Sequence, residues 1–466
     1  MGDDKAQPTD SDPRATHFQT EKGLESGRPP SPTPETTGLE GGGGNSSDGT
    51  TELTPPPADS IPDGGLQAWI QVLGSWVTLI ATWGLVNSFG VFQTYYETQL
   101  LPTTSSSDIS WIGSLQASLL FLVGVISGPL YDAGYSRELI ALGLFLIVLG
   151  MFMTSLCHAY WQLLLAQGLC IGLGMGFTFL PGTAILSQYF HRRRALAIGI
   201  SSSGSPLAGI VFPIIFNSLE PRIGFGWTTR VLAFITMAFS IIPVVFMRPR
   251  VPRSATTGPR PRRALIDKTA LRDGAFMTFC VGSFFGFLVL YVPFFYVPLF
   301  AERHDLADRH WAPYLVTLLN AGSVVGRLLP NALADRAGSL NVLLACTTVS
   351  AVLAFGWLGI HDLAGLDVFA ILYGGFSGGL VSLAPSVIVS LSPHLGLVGV
   401  RMGMTFLLAG VSVLVGTPIA GAILGGFSEK EWQGTIGYCA AGLTLGTLLN
   451  AIARFVVYRR KGGLKA

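Results

Sequence analysis

Charge is scarce in this sequence: only 12% of its 466 residues are Asp, Glu, Lys or Arg, against about 25% in soluble globular domains. With 49% hydrophobic residues and a mean hydropathy of +0.52, the chain needs hydrocarbon as its solvent. A net charge of +2 implies no nucleic-acid partner. Cysteine is sparse as well. Cys157, Cys170, Cys280, Cys346 and Cys439 lie in or beside apolar runs without metal-ligand spacing, so they read as small packing residues. His158, His191, His304, His310, His361 and His394 sit at the ends of such runs and form no metal pair. No nucleophile or acid–base constellation stands out, so no enzyme activity, cofactor or metal is expected. The first apolar run starts near Ala68. That is too late for a cleavable signal peptide, so the first membrane helix is expected to direct insertion itself.

What is abundant is long apolar runs. A helix needs about 20 apolar residues to cross roughly 30 Å of hydrocarbon. Twelve candidates run near 68–92, 109–131, 139–157, 160–187, 195–218, 227–247, 275–300, 311–333, 340–360, 366–392, 400–426 and 434–457. Residues 1–62, rich in Pro, Ser, Thr and Gly, read as a disordered tail. Its sequon at Asn45 matters only if the tail lies outside the cell. The polar, basic loop 248–274 divides the helices six and six. The expected domains are therefore bundles at 63–247 and 275–458, that loop, and tails at 1–62 and 459–466.

Lys and Arg concentrate in cytoplasmic loops. The loops after the even-numbered helices, with the carboxyl tail, hold 19 of them; the opposite set holds five, Arg222, Arg230, Arg303, Arg309 and Lys430. Both termini and the central loop are thus expected to be cytoplasmic. The halves also echo one another. Asp132 and Arg137 follow the second helix of the first half, as Asp335 and Arg336 follow that of the second. Such repeats suggest two parallel six-helix units. The four residues could gate a cytoplasmic seam as a latch, or be solvated topogenic turns.

Arg327 lies well inside the eighth span. A mid-membrane arginine costs about 2.5–3.5 kcal/mol on insertion scales, so it should face the protein interior or an aqueous cavity. Asn320, Ser323, Arg327 and Asn331 follow one helix face. A single fixed cation on a polar stripe suits a carboxylate, which arginine grips bidentately. The plainer reading has Arg327 snorkelling to the loop. Asn87, Gln116 and Thr178 (which precedes Pro181) are further candidates for substrate contact, though each could be only an interhelical hydrogen bond. Phe284, Phe287, Tyr291 and Phe295 share a broad face of the seventh helix, which Pro293 and Pro298 should break, a common way to make a gate. Gly375, Ser377 and Gly379 match a nucleophile elbow but lack its strand. Chance in a glycine-rich helix accounts for them, while Phe376 could line the cavity opposite the eighth helix. Gly172, Gly174 and Gly176 lack a dinucleotide fold's context and should let the fourth and fifth helices pack closely.

Three segments carry a family resemblance. Pro62 to Trp69 precede the first helix with Asp63, Gly64 and Gly65, although Leu66 stands where an aromatic is usual. Tyr189 to Gly199, continuing to Gly204, Ser205 and Pro206, open the fifth helix. Gly326 and Arg327 lead to Asp335 and Arg336. The chain resembles the monocarboxylate porters of the major facilitator superfamily over 62 to about 458, and more closely their fungal relatives. The resemblance implies an all-α membrane protein with the 12-transmembrane-helix major facilitator fold. It implies that Arg327 takes the place of the arginine that binds substrate carboxylate. Where those porters carry an aspartate one turn earlier this chain has Ser323, and where they carry a proton-cycling lysine it has Asn87.

The expectation is therefore a secondary transporter working by alternating access in the lipid bilayer, with a small organic and anionic substrate other than lactate. The expected substrate contacts are Arg327, Asn87, Ser323, Asn320, Gln116, Thr178, Tyr291 and Phe376. Efflux of a fungal secondary metabolite is favoured over uptake of a carboxylate or vitamin-like nutrient, and over a non-transporting sensor. Proton coupling stays open. The expected location is the plasma membrane, with the vacuolar membrane as the alternative.

Overall fold

A computed structural model describes residues 64–132, 134–190, 194–250, 267–308, 311–393 and 397–461. The tail at 1–62 with its sequon, most of the central loop, and His191, Arg309, His310 and His394 lie outside the described residues. So do the side chains of Asp132 and Asp335.

Helix is the only regular structure among the described residues. Ten stretches are long and apolar enough to cross a membrane. We label the rods in chain order: α1 Leu66–Leu100, α2 Ser106–Gly128 (running on through Asp132), α3 Ser136–Thr154 and α4 Tyr160–Gln188. The fifth stretch, Leu196–Phe246, is broken at Gly224. A φ of 76° there suits glycine and few other residues. It separates α5, 196–223, from α6, 225–246. The second half holds α7 Gly274–Arg303, α8 Tyr314–Ala337, α9 Ser339–Trp357, α10 Leu363–Leu391, α11 Val398–Leu424 and α12 Glu429–Lys461. The helix α8, which carries Arg327, is not among the ten. Adding it, and counting the two arms at Gly224 separately, makes twelve rods among the described residues.

Local chemistry explains where rods start and stop. Ser105 caps α2 by accepting from the Asp108 amide at 3.1 Å; Asp362 caps α10 through the Gly365 amide at 2.7 Å. Gly338, at φ 89°, turns α8 into α9 in one residue. Of the breaks expected in α7, the one at Pro293 is present, at Tyr291, whose backbone leaves one helix and starts the next; Pro298 breaks nothing and sits inside the helix that runs on to Arg303. One boundary departs from expectation. The first helix runs to Leu100 rather than about 92, its last turn widened to the π form, and carries Glu97 with it.

Lipid tails are as apolar as leucine, so close approach of backbones, rather than burial from water, holds such rods together. The main pairings are α8 with α10, α2 with α11 and α7 with α12. Along α8 and α10 the approach is extreme: a side chain on Gly322 would meet the Ile371 carbonyl, one on Gly326 the Gly375 carbonyl, and one on Gly374 the Leu319 carbonyl. The glycine run of α10 thus has a structural use that chance did not supply. The other glycine run is a correction. Gly172 and Gly176 face α2, and Gly174 faces α3, so these residues seat α4 on those helices rather than on α5. All five cysteines are free and at least half-buried.

Charge gathers at one end of the rods. Gln71 of α1 accepts from the Arg248 amide at 3.0 Å, Gln188 of α4 accepts from the Arg250 amide at 2.9 Å, and Gln188 donates to Tyr131 of α2 at 2.8 Å. In the second half Arg401 donates to Asp267 at 3.1 Å and to Asp273 at 3.2 Å, and Arg460 to Asp273 at 2.7 Å. Because α2 and α11 run antiparallel, these sites share one end, here the basic end. Arg401, one of the 19 basic residues counted to the loops after even-numbered helices and the carboxyl tail, is instead a buried residue of α11, 1% exposed.

Candidate functional site: the seam around Arg327

The first and second halves of the chain meet along α1, α2 and α5 on one side and α7, α8 and α11 on the other. Hydrogen bonds cross this seam at several levels. Ser107 donates to the Pro418 carbonyl at 2.9 Å and Ser118 to the Gly410 carbonyl at 2.8 Å. Ser114 bonds Thr417, and Tyr296 reaches the Ser106 carbonyl at 3.5 Å. Asn320 of α8 donates to the carbonyls of Asn87 at 3.3 Å and Gly209 at 3.1 Å. Each of these partners lies between mid-depth and the end opposite the basic one. Toward the basic end, positions such as Gly199, Gly399 and Gly403 face open space. Among the described residues, hydrogen bonds tie the seam from its middle to the far end and leave it untied toward the basic end.

Arg327 stands beside the untied stretch, ten residues from the end of α8 at Ala337, about 15 Å along the axis. It is 8% exposed. Its Nε donates to Ser323 at 3.3 Å, and among the described residues no carboxylate pairs with it. The phenol of Tyr291, at the break in α7, is near enough to interact with it electrostatically. A buried arginine with a neutral hydroxyl and a phenol for company keeps most of its five donors for something else. Behind it, Ser323 rests on Gly378, so the α8–α10 glycine contact fixes the guanidinium's platform. Gly326→Val should push α8 off α10 and reduce transport at least tenfold, at near-normal membrane insertion. Flux and surface-labelling assays on one preparation would check this, and unchanged flux would count against the platform.

The other expected site residues divide. Arg327, Ser323 and Tyr291 come together. Asn331 donates to Ser382 of α10 at 2.8 Å and to the Arg327 carbonyl, bracing the same turn. Asn87 and Asn320 meet one another, and Asn87 also donates to Ser205 of α5 at 3.1 Å; they form a polar knot in the seam about two turns deeper. Gln116 and Thr178 join neither group. Gln116 faces Met175 of α4 and lines a small void with Gln167, Thr154 and Thr229 inside the first half. Thr178 is turned to Gly143 of α3, its hydroxyl spent on the Gly174 carbonyl at 2.9 Å. Phe376 is half-buried in the core; α10 reaches α8 through its glycines and Ser382. Of the gating set, Arg137 donates to the Val244 carbonyl of α6 at 3.5 Å, inside its own half, and Arg336 is exposed.

Sequence reasoning missed two features. Glu97 is 5% exposed, accepts from Ser106 at 2.9 Å and from Gln93, and lies under the far-end ties. It escaped notice because the polar stretch after it reads as loop. The serines of α2 were also missed. Ser107, Ser114 and Ser118, spaced seven and four apart, mark one helix face that was legible in the sequence.

Comparison with known proteins adds the following. The family model described as Major Facilitator Superfamily matches residues 65–366. The MFS-type transporter dbaD of Emericella nidulans is 41% identical over 395 residues, covering 85% of this chain and 86% of that protein. The aspyridones efflux protein apdF of the same organism is 35% identical, covering 87% and 82%. Among solved structures, a peptide transporter POT in complex with sulfate superposes with a TM-score of 0.67 at 15% identity, covering 85% and 97%. A POT family transporter in complex with 5-aminolevulinic acid gives 0.65 at 14%, covering 86% and 99%. At those identities the two structures speak to the fold alone.

Proposed function

The chain belongs to the major facilitator superfamily, and on that premise we propose that it exports a small organic anion, a secondary metabolite, by alternating access. The observation that carries the anion is Arg327: a buried cation with no carboxylate partner among the described residues, at the inner limit of the stretch where they leave the seam untied. The residues resembling monocarboxylate porters, with Arg327 at the carboxylate-binding position, support the same reading. Efflux is supported by the relative named for aspyridone efflux.

In this proposal 63–247 and 275–458 are the two rocking bodies, joined by the loop 248–274. The Lys and Arg bias makes the basic end cytoplasmic, with both termini there and the plasma membrane as the site. The conformation described above then receives cargo from the cytoplasm. Rocking would exchange the far-end ties for contacts at the basic end, where Asp132, Arg137, Asp335 and Arg336 would act as the latch. Proton coupling, if the cycle uses it, would fall on Glu97, the one carboxylate buried within a span among the described residues.

The test is flux of a panel of organic acids and their neutral amides in inside-out and right-side-out vesicles, with and without a pH gradient. Accumulation of acids in inside-out vesicles is expected. Selective flux of neutral compounds, or uptake in the right-side-out orientation only, would overturn the anion and the direction respectively.

A further inference from the structure

The seam holds a line of aromatic rings that the Arg327 reading leaves unused. Trp83 of α1 meets Phe121 of α2 with centroids 5.3 Å apart. Phe121 in turn meets Phe287 of α7 at 5.9 Å and Phe406 of α11 at 5.4 Å. The line therefore crosses from one half to the other. Phe287 and Tyr291 are four residues apart on α7, on one face of the helix, and Tyr291 is the phenol beside Arg327. Phe121, Phe287, Phe406 and Arg327 lie eight to thirteen residues from the basic ends of their helices, about 12–20 Å along the axes. They share one level.

Nearer the far end one more ring pair crosses the seam, Phe89 of α1 with Phe295 of α7 at 4.8 Å; the other ring clusters among the described residues stay inside one half. Tyr95 stacks on Phe225 at 5.1 Å in the first, and Trp357 on Phe369 at 5.3 Å in the second. Those contacts survive any rocking motion and serve packing. The contacts of Phe121 with Phe287 and Phe406 do not, because the two halves must part there for cargo to pass. Parted rings present flat π-faces to the cavity, and a planar conjugated ligand would restore on both sides the offset or edge contacts they lose.

We propose that Trp83, Phe121, Phe287 and Phe406 form a stacking subsite beside Arg327, which makes the substrate a planar aromatic acid. The acid half of this statement rests on the anion reading above; the aromatic half does not. The full chain in lipid nanodiscs would be titrated by calorimetry with 2-naphthoate, its saturated counterpart decahydro-2-naphthoate, and neutral 2-naphthamide.

Wild type is expected to bind 2-naphthoate about tenfold more tightly than the saturated acid. Phe121→Leu and Phe406→Leu should each weaken 2-naphthoate severalfold and leave the saturated acid unchanged. Phe406 is only half-buried, so its variant stands in if the Phe121 variant does not fold. Arg327→Gln should weaken both acids alike and spare the amide. Equal binding of the two acids by wild type, or an unchanged preference in the leucine variants, overturns the stacking subsite and leaves the anion site standing. A ring preference that survives while Arg327→Gln changes nothing overturns the anion site instead. Binding of none of the three probes at millimolar concentration overturns both.

Discussion

Arg327→Gln is expected to stop transport of organic anions while leaving the protein at least as stable as the wild type. Two charge-assisted hydrogen bonds to a carboxylate contribute about 3 kcal/mol together in a buried site, roughly a hundredfold in affinity. Glutamine can offer one neutral donor pair in their place. The stability half follows from what Arg327 lacks. Its only hydrogen bond from a guanidinium nitrogen among the described residues is the 3.3 Å contact to Ser323. A mid-span cation costs about 2.5–3.5 kcal/mol, so its removal relieves a cost rather than breaking a pair. Lysine at 327 keeps the charge but loses the planar fork, and should recover only part of the flux. Initial rates in vesicles and unfolding midpoints in detergent would be read on the same preparations. A variant that unfolds markedly earlier would make Arg327 a structural residue and remove the argument for a substrate role.

Arg401→Ala should do the reverse, lowering stability by about 3–5 kcal/mol, the cost of breaking a buried ion pair from one side. Arg401 and Asp267 have side chains only 1% and 4% exposed. The guanidinium also donates to the Leu391 carbonyl at 2.9 Å and lies 4.8 Å over the Phe276 ring. Without it Asp267 is left buried with the Thr269 donors but no cationic partner among the described residues, whereas Asp273 keeps Arg460. The Thr269 hydroxyl, 2.5 Å away, and then Arg401 hold the Asp267 carboxyl down at about 2. A lowered value means the stabilisation is complete above the ordinary carboxylate value near 4. It fades as pH falls from there toward 2. The gap between wild type and Arg401→Ala should therefore persist from pH 7 to 5 and narrow below about 4. Adding Asp267→Asn to the variant should recover part of the loss. A flat, small difference at every pH would show that the cluster is solvated and holds nothing.

These two arginines show how far the residues alone could be read. Arg327 was legible, because it interrupts an apolar span and heads a polar face at helical spacing. Arg401 was misread for the same local reason: it opens a span, where basic residues are normally solvated. Its two aspartate partners lie more than a hundred residues away, across the start of α7. Glu97 was lost because a helix end is set by backbone pairing, and the polar residues after it look like loop. Thr178 and Gln116 were legible as polar groups inside spans, but a helix has no outside reference in its own sequence. Which neighbour a given face meets is decided by how the rods assemble.

By itself the sequence determined the membrane class, the approximate bounds of most rods, the end on which positive charge collects, and Arg327 as a cation inside a span. Each is a property of one helix at a time, governed by transfer to hydrocarbon and by helical periodicity. Only the tertiary structure decided that the seam is tied from mid-depth to the far end, that glycines press α8 onto α10 behind Arg327, and that aromatic rings from both halves meet at its level. Those depend on which rods touch. In a bilayer that choice is made by backbone approach and interhelical hydrogen bonds between residues hundreds of positions apart, which no local pattern encodes.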